Sequence, residues 1–250
     1  MEQQIQKNLN VAGEPAWRQY ARLVVGGGGL GALLRHELVT GCFGNCPGAL
    51  GLWLRRKLYP GLLGACGRGL IAGSQVTIRG AARIRLGNNV ALDNNVVLDA
   101  RGDNAEIVLG DNVLVSRNTI IRARNGRIVI GEGSDIGANC LLATDSSLEI
   151  GREVLLAAYV YVAAGGNHRY DDVSRPIMQQ GFVSKGGVRI GDDVWIGTHS
   201  TVLDGVTVGP GSVVGAHSLV NRSLAERSVA WGVSAVRRHE RGATGAEPSA

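Results

Sequence analysis

The stretch Ile190–Val220 reads I-G-D-D-V-W-I-G-T-H-S-T-V-L-D-G-V-T-V-G-P-G-S-V-V-G-A-H-S-L-V. In it an aliphatic residue returns every six places, at Ile190, Ile196, Val202, Val208, Val214 and Val220. A helix repeats every 3.6 residues and a half-buried strand alternates, so a six-residue period fits neither and marks a β-helix. Three hexads make an 18-residue triangular coil whose three short strands each send one aliphatic side chain inward. Successive coils stack at a strand spacing of about 4.8 Å.

The same unit recurs upstream, starting at Leu86, Leu109, Ile130 and Ile150 before Ile190 and Val208. Five intervals separate these starts, of 23, 21, 20, 40 and 18 residues. The last is a bare coil. The others carry extra residues, and the strand closing each coil (Ile107–Leu109, Ile128–Ile130, Leu148–Ile150, Val188–Ile190, Val206–Val208) puts every extra residue on one edge of the prism. The largest insertion lies between Val162 and Val188. The fold expected is an all-β solenoid, a left-handed parallel β-helix preceded by a short α-helical segment. Its divisions are 1–70 (a helical capping or membrane-surface segment), 71–222 (the β-helix, with the loop 163–187) and 223–250 (a C-terminal extension and tail).

Composition agrees. Of 250 residues 44% are hydrophobic and only 19% charged, which excludes a disordered chain or a coiled coil, and the 38 glycines follow no triplet period, which excludes collagen. The four cysteines, Cys42, Cys46, Cys66 and Cys140, form no C-x-x-C pair, so reduced thiols and no metal site are expected. Residues 1–70 hold eight Lys or Arg against three Glu, and the rest of the chain is balanced, so the whole net charge of +5 lies in the N-terminal segment. No nucleic-acid partner is expected. The opening MEQQIQKNLN lacks the basic and apolar regions of a secretory leader, and a cytoplasmic location, at the inner face of the membrane if residues 1–70 dock there, is the expectation.

Register assigns single residues. The tenth place after each unit start reads Val96, Thr119, Cys140, Val160, Ser200, Ser218, so Cys140 fills a small inward slot. The place before it reads Asn95, Asn118, Asn139, Tyr159, His199, His217, a corner that suits φ > 0. His199 and His217 are therefore expected to stack at that corner as turn residues and not as metal ligands. The insertion opens A-A-G-G-N-H-R-Y-D-D, which sets His168 where the chain lifts off the last strand. A histidine on a loop carried by a rigid scaffold suits proton transfer near neutral pH; position alone leaves a plain surface histidine equally open.

The hexapeptide array, the loop N-H-R-Y-D-D-V-S-R-P-I and the run quoted at the outset resemble the left-handed β-helix acyltransferases, in particular the galactoside, maltose and exopolysaccharide O-acetyltransferase branch, over residues 71–238. The resemblance implies a homotrimer with acetyl-CoA along the groove between neighbouring prisms and a carbohydrate hydroxyl as acceptor. It implies direct transfer with His168 as general base and groove N–H groups stabilising the oxyanion. Asp171 and Asp172 are placed to support the imidazole or simply to be solvated. Trp195 packs at the subunit groove or is a plain surface aromatic. Thr198 and Ala216 match the places where backbone amides meet the pantetheine arm, and Asn221 with Arg222 matches the usual Thr-Lys pair near the cofactor. The following G-x-P-A/C-R/K is altered to Gly232-Val-Ser234-Ala-Val236, and Arg237 is the candidate replacement for the missing base. Two further readings share the motifs, a xenobiotic acetyltransferase and a catalytically silent trimeric scaffold. Acceptor identity and acyl length are not legible.

In residues 1–70, L-R-H-E-L and L-G-L-W-L-R-R-K-L-Y read as short amphipathic helices that cap the open end of the solenoid. They could also meet an anionic membrane through Arg55, Arg56, Lys57 and Arg68. Residues 239–250 read as a frayed tail.

Overall fold

Three flat parallel sheets form because the three hexads of each coil supply one strand to each face and each coil lands on the one before it. A computed structural model describes residues 15–27 and 29–243, which build a left-handed parallel β-helix of about seven turns with three helices at its N-terminal end. The expectation about the first ten residues, and that about the last seven, lie outside the described residues. The first face runs from Ala65–Cys66 to Thr207–Val208, the second from Ile71–Ala72 onward, and the third from Thr77–Arg79 to Leu219–Val220. Registered partners form continuous inward rows: Ile130, Ile150, Ile190 and Val208 on the first face, and Leu142, Val162, Val202 and Val220 on the third. All are buried, and each such side chain contributes about 1.5–3 kcal/mol. The pair Ile150–Ile190 stays in register across the 40-residue interval, so the insertion leaves the stack undisturbed.

The small inward slot is as the register predicts, with Thr119, Cys140, Ser200 and Ser218 buried. At the adjoining corner Asn95, Asn118, Asn139, Tyr159, His199 and His217 all have φ between 54° and 63°. Their side chains continue the stack outside the backbone. Asn95 Nδ2 donates to Asn118 Oδ1 and Asn118 Nδ2 to Asn139 Oδ1, both at 3.1 Å. Further along, the Tyr159, His199 and His217 rings lie face to face at 4.7 and 4.8 Å.

Helices α1 (Ala16–Val24), α2 (Leu30–Phe43) and α3 (Gly48–Leu58) lie against the first coil. Its edge groups are met there. Gly80 N–H donates to Val24 O, Ala82 N–H to Val25 O and Gln75 N–H to Gly44 O. Arg55 differs from the surface role given it above: it is buried, its Nε donating to Ala72 O and its Nη1 to the carbonyls of Phe43 and Cys46. A guanidinium with three carbonyl partners in an apolar layer is a structural tie, which leaves Arg56, Lys57 and Arg68 as the exposed cations of that group. No described helix is long and apolar enough to cross a membrane. The tail also differs, since Val236–Glu240 forms an antiparallel strand on Ser228–Trp231 at the edge of the second sheet.

Candidate functional site

The site is built where the third face meets its long insertion. Strand Tyr161–Ala164 ends at Gly165 and Gly166, and the chain rises as a two-stranded ribbon in which Asn167–His168 pairs antiparallel with Phe182–Val183. Gly166 is required here: its φ is +81° and a Cβ would sit 2.4 Å from Val183 O. The ribbon holds His168, whose ring meets Phe182 edge-on with centroids 4.6 Å apart. The returning chain is fastened by Asp204, whose carboxylate accepts from Lys185 N–H (2.5 Å) and Gly187 N–H (2.8 Å).

Asp172 organises the loop. Its Oδ1 accepts from Ser174 N–H (3.0 Å) and the Ser174 hydroxyl (2.6 Å), its Oδ2 from Arg175 Nε (2.7 Å), and these bonds hold its carboxyl below the usual carboxylate range. Asp171 is exposed. Neither carboxylate is among the hydrogen-bond partners of His168.

Beneath His168 opens a cleft of about 320 Å³. Phe182 and Met178 wall it on the loop side; Tyr161, Ala163, Asp145, Arg122 and Arg124 line it from the sheet. Sequence reading missed this floor. The signal existed, since I121-R-A-R alternates two arginines onto one outward face of a strand and Asp145 falls one coil later on that face. It was hidden because the three charges are spread over 24 residues of sequence.

The other expected contacts lie elsewhere. Thr198 and Ala216 sit at the corner between the second and third faces, whereas His168 stands at the opposite edge of the third face. Thr198 Oγ1 donates to Ala158 O (2.7 Å), and with that proton committed it accepts from His199 Nδ1 at 2.9 Å. Ala216 is exposed. Asn221 Nδ2 donates to the Ser234 hydroxyl at 2.8 Å, so the residue standing where the family has Pro is tied back to the last coil. Arg222 is exposed, and Arg237 is paired with Glu240 at 3.3 Å. Trp195 is 49% exposed on the second face, in register with Leu155 and Val213.

Residues 187–222 match the family model described as bacterial transferase hexapeptide (six repeats), and residues 127–164 match that of the hexapeptide repeat of succinyl-transferase. Both stretches of this chain thus carry hexapeptide repeats of the kind found in bacterial transferases. Its relatives carry acyl-transfer names. A probable acetyltransferase of Mycobacterium tuberculosis is 38% identical over 110 residues, 44% of this chain and 36% of that one. Galactoside O-acetyltransferase of Escherichia coli is 33% identical over 106 residues, 42% of this chain and 50% of that one. An Escherichia coli protein provisionally named as a lipopolysaccharide biosynthesis O-acetyl transferase is 36% identical over 99 residues, 38% of this chain and 50% of that one. This chain therefore spans half or less of the length of the curated relatives it matches.

Proposed function

We propose that the protein is an O-acyltransferase that moves an acetyl group from acetyl-CoA to a hydroxyl of a sugar or surface-polysaccharide precursor. The observation that carries this reading is His168, held by the paired ribbon at the mouth of a polar cleft large enough for a monosaccharide. The thioester supplies an activated acyl carbon and a good leaving group. His168 takes the proton from the acceptor hydroxyl as that oxygen closes on the acyl carbon, and returns it to the sulfur as the C–S bond breaks. No acyl-enzyme is needed.

The donor's contacts fit the far corner of the third face. Small side chains at Thr198 and Ala216 let a thin pantetheine arm approach the backbone, and exposed Arg222 suits a phosphate. Because this corner and His168 lie at opposite edges of one face, a complete site takes its histidine from one copy and its donor groove from another. A homotrimer meets that requirement. The exposed Arg56, Lys57 and Arg68, beside exposed Leu50, Leu52 and Trp53, support a weak peripheral contact with an anionic membrane surface.

The test is His168→Ala. Turnover with acetyl-CoA and a glycoside acceptor should fall by roughly 10²–10⁴ with acetyl-CoA affinity by calorimetry nearly unchanged, because a general base acts in the transition state. Full retained turnover would remove His168 from the reaction.

A further inference from the structure

The floor of the His168 cleft carries a charge arrangement that folding alone does not call for. On the outward side of the third face, strands Val97–Arg101 and Ile120–Arg124 are in register, which sets Asp99 opposite Arg122 and Arg101 opposite Arg124. The second pair is like-charged, and like charges directly opposite on neighbouring strands are destabilising. Asp99, only 3% exposed, is bonded to Arg101 through Oδ2, while its Oδ1 is buried without a hydrogen-bond partner. Asp145, one coil further on, makes no ion pair with either cleft arginine among the described residues. Its Oδ1 and Arg124 Nε are both buried without a hydrogen-bond partner. Three guanidiniums thus face two carboxylates, and neither arginine that lines the cleft forms an ion pair among the described residues. The crowding registers on Arg124, whose hold on its proton is weakened first by burial and then by Arg122 and Arg101. Buried polar atoms normally find partners, and three guanidiniums against two carboxylates leave an excess positive charge on the wall of an open cleft, which points to an anionic ligand.

We infer that Arg122 and Arg124 form an anion-binding subsite that selects an acceptor bearing a carboxylate, a uronic or other acidic sugar, with its reacting hydroxyl turned toward His168. A planar carboxylate matches the guanidinium fork and would close the open valences at the cleft floor. Asp145, between the arginines and Gly165, is then the acceptor for a neighbouring sugar hydroxyl. The anion site stands on the arrangement of charges; its role in choosing the acceptor rests on the acyltransfer reading above.

Two measurements on the full chain separate these levels. In the first, sodium glucuronate and glucose are titrated against wild type and Arg122→Gln/Arg124→Gln by saturation-transfer NMR. Glucuronate should bind at least about tenfold more tightly than glucose, the preference should fade with added salt, and the double variant should lose it. Equal binding of the two sugars, or a preference that survives in the variant, overturns the inference. In the second, thiol release from acetyl-CoA is followed with p-nitrophenyl glucuronide and p-nitrophenyl glucoside. A kcat/KM ratio favouring the glucuronide that collapses in the variant supports the acceptor role, and a ratio of one overturns it. Arginine-dependent glucuronate binding with no thiol release would sink the acyltransfer reading and leave the anion site. If the variant instead loses affinity for acetyl-CoA, the arginines serve the donor's phosphates. If it changes oligomeric state in size-exclusion chromatography without any wild-type glucuronate binding, they meet a carboxylate of a second copy. Either result overturns the assignment.

Discussion

Cys140 Sγ lies 3.2 Å from Ala157 O in the inward row that also holds Thr119 and Ser200. Those two hydroxyls donate across the coil, Thr119 to Gly137 O at 2.7 Å and Ser200 to Gly215 O at 3.0 Å. A serine at 140 can make the same bond, so Cys140→Ser should fold with stability within about 1 kcal/mol of wild type by thermal unfolding. Cys140→Arg, which would bury an unpaired charge, should be recovered only as aggregate. Burial pushes the Cys140 thiol up to about 11, so at moderately alkaline pH it stays protonated and poorly nucleophilic. Iodoacetamide should then modify exposed Cys42 in the native protein and reach Cys140 only after unfolding, as read by peptide mass. Alkylation of native Cys140 would contradict its place in the core.

The helical layer is the element whose removal has the largest consequence. Val39, Tyr59 and Leu62 share one apolar cluster with the first coils, and α3 ties down Ala72 through Arg55. Residues 71–250 alone would expose this apolar surface and an unpaired strand edge, so that fragment should aggregate in size-exclusion chromatography without any lipid. A soluble, well-behaved fragment would show that the layer has no covering role. On its outer side Leu30, Leu34 and Leu38 follow one another at helical spacing and are exposed, as are Trp17, Tyr20 and Trp53. The intact protein should therefore co-sediment weakly with anionic vesicles, less so at high salt. The salt response should be carried by Arg56, Lys57 and Arg68, and Arg55 should contribute none because it is buried.

At the scale of the molecule, the separation of His168 from the Thr198–Ala216 corner makes a distinct demand. On the proposed reading, Ala216→Trp would block the donor groove of the copy that carries it, and His168→Ala would disable only the base. Each variant alone should be inactive, while oligomers reassembled from the two together should regain turnover, because one mixed interface holds an intact histidine and an intact groove. Failure to complement would place both halves of the site within one copy. The solenoid itself was legible in the sequence because its period is written in side chains that all face inward, from Ile84 to Val220. The cleft was only half legible. His168 announced itself by standing at the start of an insertion, but Arg122, Arg124 and Asp145 point outward, where the repeat constrains nothing. Helix α1 was missed because only Ala21 and Val24 of it are buried, in a small cluster with Val25 and Leu33, too few to set a period. Arg55 was misread because a cation in a basic run reads as solvated until its carbonyl partners are seen.

The three edges of the prism are not equivalent, and that inequality governs how such a protein can acquire new parts. Along the edge that carries Gly131, coils meet so closely that a single added Cβ would lie 2.5 Å from the Gly151 carbonyl carbon. The Asn–His edge is occupied by its own ladder of side chains. The edge that bears the long ribbon is the one whose turns differ in length from coil to coil, with exposed residues at Asp103–Asn104 and at Asn125 as well as at the ribbon itself, where they bridge the third face and the first. New segments can be grafted there one coil at a time, each reaching over the same face and the same cleft, while the stack beneath keeps its register. Recognition of new substrates can thus evolve along one seam of the molecule without renegotiating the core.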